Sequence, residues 1–478
     1  MRRKRLSSDS LQISIDSLHA GANIGFAPGG QRIIIIGTEH KMDEIKRYRA
    51  FLDNGKTERE CIKEIISLAE AEGYRNIESV DKLKAGDKVY YVQYAKSIAL
   101  FRIGSAPIEK GMNILGAHID SPRLDVKMNP LYENEGIVYL DTHYYGGIKK
   151  YQWLTLPLAI HGIAVSKDGT KKEIVLGEDD ELAFCISDIL PHMAQEQMKK
   201  SAGEFIAGED LDLIIGLKES ESDEKDAAKK KILSLITERT GMDEKDFQSA
   251  ELEIVPAGKA KLMGFDQSMV LAYGQDDRVC AFTSLDAMLE ENNAERTSCC
   301  LLVDKEEIGS VGATGMDSIF LENAASEVLA RMEGGYNGLT LRRMLRSSYM
   351  LSSDVNAAYD PLNASLYDKK NASMLGGGVV FNKYTGSRGK SGASDANAEF
   401  IASLRKAMDE GGVKYQMSEM GKVDTGGGGT IAKYAAWYGM QVIDCGVAVL
   451  SMHSPWEITA VSDVLSAKEC YKAFLGMR

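Results

Sequence analysis

Along residues 42–73, apolar positions such as Leu52, Cys61, Ile65, Ile66 and Leu68 fall at roughly helical spacing, which predicts helices there, the first opening at Met42 and running to Asp53. Residues 88–104 alternate apolar with polar, the period of strands. The short apolar run 113–117 reads as a strand that stops on His118. Between 124 and 256 the texture turns strand-rich. There the pair Asp168-Gly169 separates the stretches 160–166 and 173–176, a hairpin signal. The same region holds a charged helical stretch, 218–235, whose mixed signs over 218–231 suit a solvated face. Beyond Pro256 strands alternate with helices again, and the apolar runs 298–303, 348–351 and 442–444, continued by 447–450, each end in a polar turn. The pattern predicts an α/β catalytic domain, residues 1–123 and 257–478, interrupted by an inserted β-rich domain at 124–256.

Composition narrows the class. A chain of 478 residues is too long for one ordinary core, which supports two domains. At 44% hydrophobic and 27% charged residues it is globular. A net charge of −13 argues against nucleic acid or an anionic membrane as partner. No apolar run approaches the ~20 residues of a membrane span. The seven cysteines include no CxxC pair and are odd in number, which fits reduced thiols in a cytoplasmic protein. The basic start, Met1 to Arg5, is followed by no apolar segment of signal-peptide length. Residues 1–41 are expected to be a peripheral extension, or Met42 the true start.

Five short segments carry candidate chemistry. Gly116-Ala117-His118-Ile119-Asp120 places an imidazole and a carboxylate two apart at a strand end. Asp276-Asp277 precedes an amphipathic helical pattern (Val279, Phe282, Leu285, Met288, Leu289), and Glu306-Glu307 follows the run 298–303. Asp354 follows the run 348–351, and His453 follows the run 447–450. Taken singly, each has an ordinary explanation: paired acids at a helix start complement the dipole, and paired glutamates are usually solvated. Together, all five sit where apolar runs stop, and the carboxyl ends of strands in open α/β sheets are where ligands bind. Two histidines with four or five carboxylates make a nitrogen–oxygen donor set that suits zinc, manganese or cobalt. A carboxylate bridging two ions, with one histidine and one carboxylate on each, is a compact two-metal hydrolytic site. Adjacent glutamates in a strand-end loop point differently, so one can ligate while the other takes a proton from the attacking water.

The sequence resembles the aspartyl aminopeptidase and vacuolar aminopeptidase I family of zinc exopeptidases, in its bacterial branch. The resemblance rests on AHIDSPRLDVK (117–127), YGGIKKYQW (145–153), VDKEEIGSVGATG (303–315), SSDVNAAYDP (352–361), GKVDTGGGGTIAKY (421–434) and MHSPWE (452–457). It implies an aminopeptidase that hydrolyses the N-terminal residue of peptides with two divalent ions, Zn²⁺ foremost and Co²⁺ or Mn²⁺ as alternatives. By that resemblance His118 and Asp354 hold one ion, Glu307 and His453 the other, and Asp276 bridges them, across a cis peptide to Asp277. Glu306 becomes the general base, and Asp120 orients His118. The resemblance also implies a homo-oligomer, a dodecamer, in which the inserted domain dimerises and His192 enters a neighbour's active site. The family's second histidine there is Gln195 in this chain. Lys383, in FNKYTG (381–386), matches a basic residue near the first substrate side chain. Eukaryotic relatives carry Asp-Arg-Asp where this chain has Thr155-Leu156-Pro157, which leaves acidic and neutral or apolar substrate preferences both open. The Gly426–Gly429 run with Thr430 reads either as a turn capping a helix or as a lining of the substrate site. Two rival readings are a metal-dependent deacylase of small amides and a non-enzymatic shell-forming scaffold. The intact ligand set argues against the scaffold.

Overall fold

A computed structural model describes residues 31–179, 181–218, 226–291 and 295–478, the stretch 31–40 through its backbone alone. The chain divides into two compact units, residues 1–44 and 45–478. The described part of the first is helical, within a helix that spans Gln31–Asn54. The helix thus begins well before Met42, the start its amphipathic pattern predicts. Gly37 is the only glycine or proline in the added stretch, and one glycine costs a helix about 1 kcal/mol without ending it.

In the second unit, a nine-stranded sheet carries four parallel strands at its centre: Thr297–Val303, Met112–His118, Tyr349–Ser352 and Gln441–Gly446. Their side chains alternate between two apolar layers. Leu115, Ala117, Cys300 and Leu302 face one, with helices Glu58–Ala71, Gln275–Glu290 and Val461–Leu475. Met112, Ile114, Cys299 and Leu301 face the other, with helices Phe320–Arg331 and Gly338–Arg346. Being buried on both faces explains why these strands read as continuous apolar runs.

Helix Gln275–Glu290 is buried all round over residues 275–288, where an amphipathic helix was expected. It lies between the central strands and helix Val461–Leu475, so no face meets water. The run 447–450 is likewise no simple continuation of 442–444. Gln441–Gly446 belongs to the nine-stranded sheet, and Ala448–Leu450 has crossed into a five-stranded one. That smaller sheet also holds Met269–Ala272, Glu457–Ala460 and Asn356–Ala357.

Residues 123–256 supply a six-stranded antiparallel sheet, ordered Lys171–Leu176, Leu158–Val165, Ala250–Pro256, Arg123–Asn134, Ile137–Tyr145, Leu213–Leu217. Its own apolar core includes Trp153, Leu158, Leu213 and Ile254. The 168–169 hairpin joins two of its strands. The charged helix spans Ala227–Thr240 with its lysines largely exposed, and the expected start over 219–225 lies outside the described residues. All seven cysteines are free thiols. Among the described residues no helix is long and apolar enough to cross a membrane.

Candidate metal centre

The two sheets deliver the polar residues to one place. His118 ends the central strand Met112–His118, Glu306 and Glu307 form the turn after its neighbour Thr297–Val303, and Asp354 follows the neighbour on the other side, Tyr349–Ser352. The small sheet adds the rest. Asp276 is the second residue of helix Gln275–Glu290, which follows Met269–Ala272 and the N-cap Gly274, and His453 lies in the turn between Ala448–Leu450 and Glu457–Ala460.

Donor atoms within 4.8 Å of one another form three groups: His118, Asp276 and Asp354; Asp276, Glu307 and His453; and His118, Glu306 and Glu307. The first two share Asp276. His118 Nε2 lies 3.6 Å from Asp354 Oδ1, and His453 Nε2 lies 3.1 Å from Asp276 Oδ2 and 3.5 Å from Glu307 Oε1. Asp277, the other half of the acidic pair, is buried 3.7 Å from His118 Nδ1, and neither of its oxygens has a hydrogen-bond partner. Among the described residues every peptide bond is trans, so the cis linkage expected at Asp276–Asp277 is not found.

The residues around the cluster hold it in order. The Nδ1 of His118 faces the Asp120 carbonyl at 3.2 Å, and that of His453 faces the Gly147 carbonyl at 3.0 Å. A proton on each Nδ1, donated to those carbonyls, leaves both Nε2 lone pairs facing the carboxylates, the tautomer a metal ligand needs. Asp120 is fully buried and accepts from the Tyr145 hydroxyl (2.8 Å) and from the backbone N–H of Glu306 (3.0 Å) and Glu307 (3.2 Å). Its carboxylate therefore orients the glutamate turn as well as standing beside His118. Lys305 and Gly309 flank that turn in left-handed conformations, which bends the backbone so that both glutamates enter the cluster.

The motif YGGIKKYQW acquires a physical reason here. A Cβ on Gly146 would meet Glu307 Oε2 at 3.3 Å, and one on Gly147 would meet His453 Nδ1 at 3.2 Å. Both glycines let the chain of the six-stranded region approach the cluster closely.

The electrostatics of the cluster favour positive charge. Burial, then the charges of Asp354, Asp120 and Asp276, push Glu306 up to about 8 despite His118. Burial and Asp276 hold Glu307 well above the usual carboxylate range. Burial opposes a charged His453, yet Asp276 and Glu307 hold its proton up to about 11. A field that clamps protons on imidazole and carboxylate will also hold divalent ions, and two imidazoles with three carboxylates match a zinc-type donor set.

Two expected site residues stand apart. His192 is exposed in the short 3₁₀ turn Pro191–Met193 and joins none of the three groups. Lys383 is exposed just after Val379–Asn382, whose Asn382 pairs with Asp444, itself paired with Ser352, and it joins none of the three groups. Thr430 accepts from Ala432 N–H beside the helix Ala432–Ala436, whose N-cap is Ile431, and donates to the buried Asp444 (2.6 Å). His143 and His161 are strand residues, His161 buried between Glu60 and Glu178. Sequence reasoning passed over Tyr145 and Glu457, although both stand within motifs it singled out. Their role is to hold backbone and carboxylate groups of distant segments, which leaves no spacing signature.

The profile of the aminopeptidase I zinc metalloprotease (M18) family matches residues 51–475. A probable M18 family aminopeptidase 1 from Clostridium acetobutylicum is 56% identical over 438 residues, covering 90% of this chain and 94% of its own length. The crystal structure of an M18 family aminopeptidase from Thermotoga maritima superposes with a TM-score of 0.89 at 42% identity, covering 92% of this chain and 97% of the other. The S. cerevisiae mApe1 dodecamer shares the fold, with a TM-score of 0.73 at 20% identity over 91% of this chain and 97% of the other. A match of this length, together with a relative identical at more than half of the aligned positions, establishes that the chain belongs to the aminopeptidase I zinc metalloprotease (M18) family.

Proposed function

We propose that this protein is a metal-dependent aminopeptidase that releases the N-terminal residue of peptides, with His118 and Asp354 holding one ion, Glu307 and His453 the other, and Asp276 shared. The observation that carries this reading is the pair of three-residue donor groups meeting at Asp276. Two divalent ions, zinc by family, would polarise the scissile carbonyl there and lower the pKa of water toward about 7. Glu306 then serves as general base, taking the proton from the attacking water and passing it to the leaving amine. Its place in a group with His118 and Glu307, outside the two groups that meet at Asp276, supports that division of labour. Asp120 fixes His118 and the glutamate turn through the contacts described above.

The yeast relative's dodecamer supports a homo-oligomer for this chain, and residues 124–256 are the inserted domain proposed to dimerise. Ile189, Leu190, Met193 and Met198 are exposed around His192, which supports that face being covered by a neighbour whose site His192 completes. Lys383 is the proposed contact for the first side chain of the substrate. Free thiols and the absence of a membrane-length helix among the described residues support a cytoplasmic enzyme.

A panel of aminoacyl anilides and peptides, each with a free or an acetylated amine, tests the reading. Turnover confined to the free-amine forms is expected. Equal or faster turnover of the acetylated forms would replace it with a deacylase.

A further inference from the structure

Glu457 is the first residue of strand Glu457–Ala460 and is 1% exposed. Its Oε2 accepts from the backbone N–H of Gln275 (2.6 Å) and Asp276 (2.9 Å), and its Oε1 from the backbone N–H of His453 (2.7 Å). One carboxylate thus joins the two backbones that carry Asp276 and His453. Helix Gln275–Glu290 has Gly274 at its N-cap and no side-chain cap of its own, so its first N–H groups need an outside acceptor. Glu457 supplies it from another strand.

The second backbone is held in a costly conformation. His453 has φ of +62°, a left-handed geometry that a non-glycine residue keeps only when its surroundings impose it. The Glu457 bond to its N–H is one of those constraints. Gln275 locks the same junction from the other side. Its Nε2 donates to the carbonyls of Glu457 (2.6 Å) and Val270 (3.1 Å), and its Oε1 accepts from the hydroxyls of Thr459 (2.6 Å) and Tyr48 (3.1 Å). With all these groups buried, the junction cannot relax without leaving polar atoms unpaired.

We infer that Glu457 is a positioning residue that sets the placement of Asp276 against His453, and through it the affinity for the ion on the Glu307–His453 side. It belongs to none of the three donor groups and acts through backbone N–H groups. Asp120 does the corresponding work for the glutamate turn and stands beside His118, so two buried carboxylates grip the backbones that carry Glu307, Asp276 and His453. This assignment rests on the two-ion reading proposed above.

In Glu457→Gln, an amide NH₂ replaces one oxygen and opposes an N–H donor, so either the helix start or His453 is released. The full-length protein, equilibrated in zinc buffers and analysed for bound zinc by mass spectrometry, gives the test. The wild-type chain is expected to hold two ions. Glu457→Gln should keep one tightly and bind the other about 10–100-fold more weakly, with kcat reduced at high zinc and KM little changed. Wild-type affinity for both ions in the variant overturns the assignment. So does equal weakening of both ions with a lower melting temperature of the metal-free protein, because that is a general structural role. A wild-type chain holding fewer than two ions defeats the two-ion reading itself. If Glu457→Gln fails to fold, Glu457→Asp, one methylene shorter, should show the same ordered loss to a smaller degree.

Discussion

The junction of helix Glu58–Ala71 with the six-stranded sheet and the edge of the nine-stranded sheet both bury acids, but they balance them differently. At the junction, Glu58 and Glu253 are met by a cation of the chain itself. Arg123 Nε lies 3.1 Å from Glu253, its Nη1 lies 3.5 Å from Glu58, and Lys96 reaches Glu58 at 3.2 Å. Burial opposes ionisation of Glu58, yet Arg123 and Lys96 outweigh it and hold the carboxyl below the usual range, while burial and the charge of Glu58 hold Glu253 well above it despite Arg123. At the sheet edge, among the described residues, the ion pairs of Asp276, Glu307 and Asp354 are with the imidazoles of His118 and His453. In the first region the chain supplies cations of its own. The second has charge left over for something to bind. Burial of acids alone marks neither structure nor function; what separates them is whether the chain supplies the countercharge.

The comparison yields ordered predictions. The largest effect belongs to the proton-transfer role at the open cluster. Glu306→Gln should lower kcat by about 10²–10⁴-fold while keeping bound metal, whereas Glu307→Gln should lose metal as well. Metal analysis of the two purified variants decides the matter, and an emptied site in Glu306→Gln would reverse the two roles. Next comes the closed region. Arg123→Met leaves buried carboxylates without their partner, and denaturant unfolding should show a loss of about 3–5 kcal/mol in metal-free and metal-loaded protein alike. Asp276→Asn, by contrast, relieves repulsion and should leave the metal-free protein no less stable. A comparable loss in Asp276→Asn would erase the distinction between the two regions.

A smaller effect concerns His161, which bridges Glu60 (2.8 Å) and Glu178 (3.0 Å) beside Lys56. Burial disfavours its charged form, but Glu178 and Glu60 raise its pKa above the usual 6.5. The stability it adds is therefore fully present below about pH 6.5 and is lost as pH rises through the raised value. The stability advantage of the wild type over His161→Asn should shrink between neutral and alkaline pH. An advantage that grows with pH would contradict the bridge. The smallest effect is at Lys383. An exposed ion pair is worth up to about 1 kcal/mol, so Lys383→Ala should cut kcat/KM for acidic over leucyl substrates by about fivefold at most. Equal losses on both would remove Lys383 from substrate recognition.

Much of this organisation was legible from the sequence where the physics is local. The apolar runs ending on His118 and before Glu306 and Asp354 marked the parallel strands, because burial on both faces leaves no polar interruption. The hairpin at Asp168-Gly169 was fixed by its turn residues. Long-range arrangements left no such mark. The crossing of Ala448–Leu450 into a second sheet depends on partners near residues 356 and 459. The burial of helix Gln275–Glu290 on every face depends on a helix that lies beyond residue 460. Glu457 grips backbone more than 180 residues away in sequence, and any short motif shows it as an ordinary glutamate.

The central claim is that Asp276 joins two ion sites that the peptidase activity requires. Exhaustive chelation followed by stepwise return of Zn²⁺, Mn²⁺ or Co²⁺, with activity on a free-amine aminoacyl substrate plotted against bound metal per chain, tests it most directly. The account predicts no activity after chelation and recovery that completes as the second ion binds. Full activity in the chelated protein would contradict it.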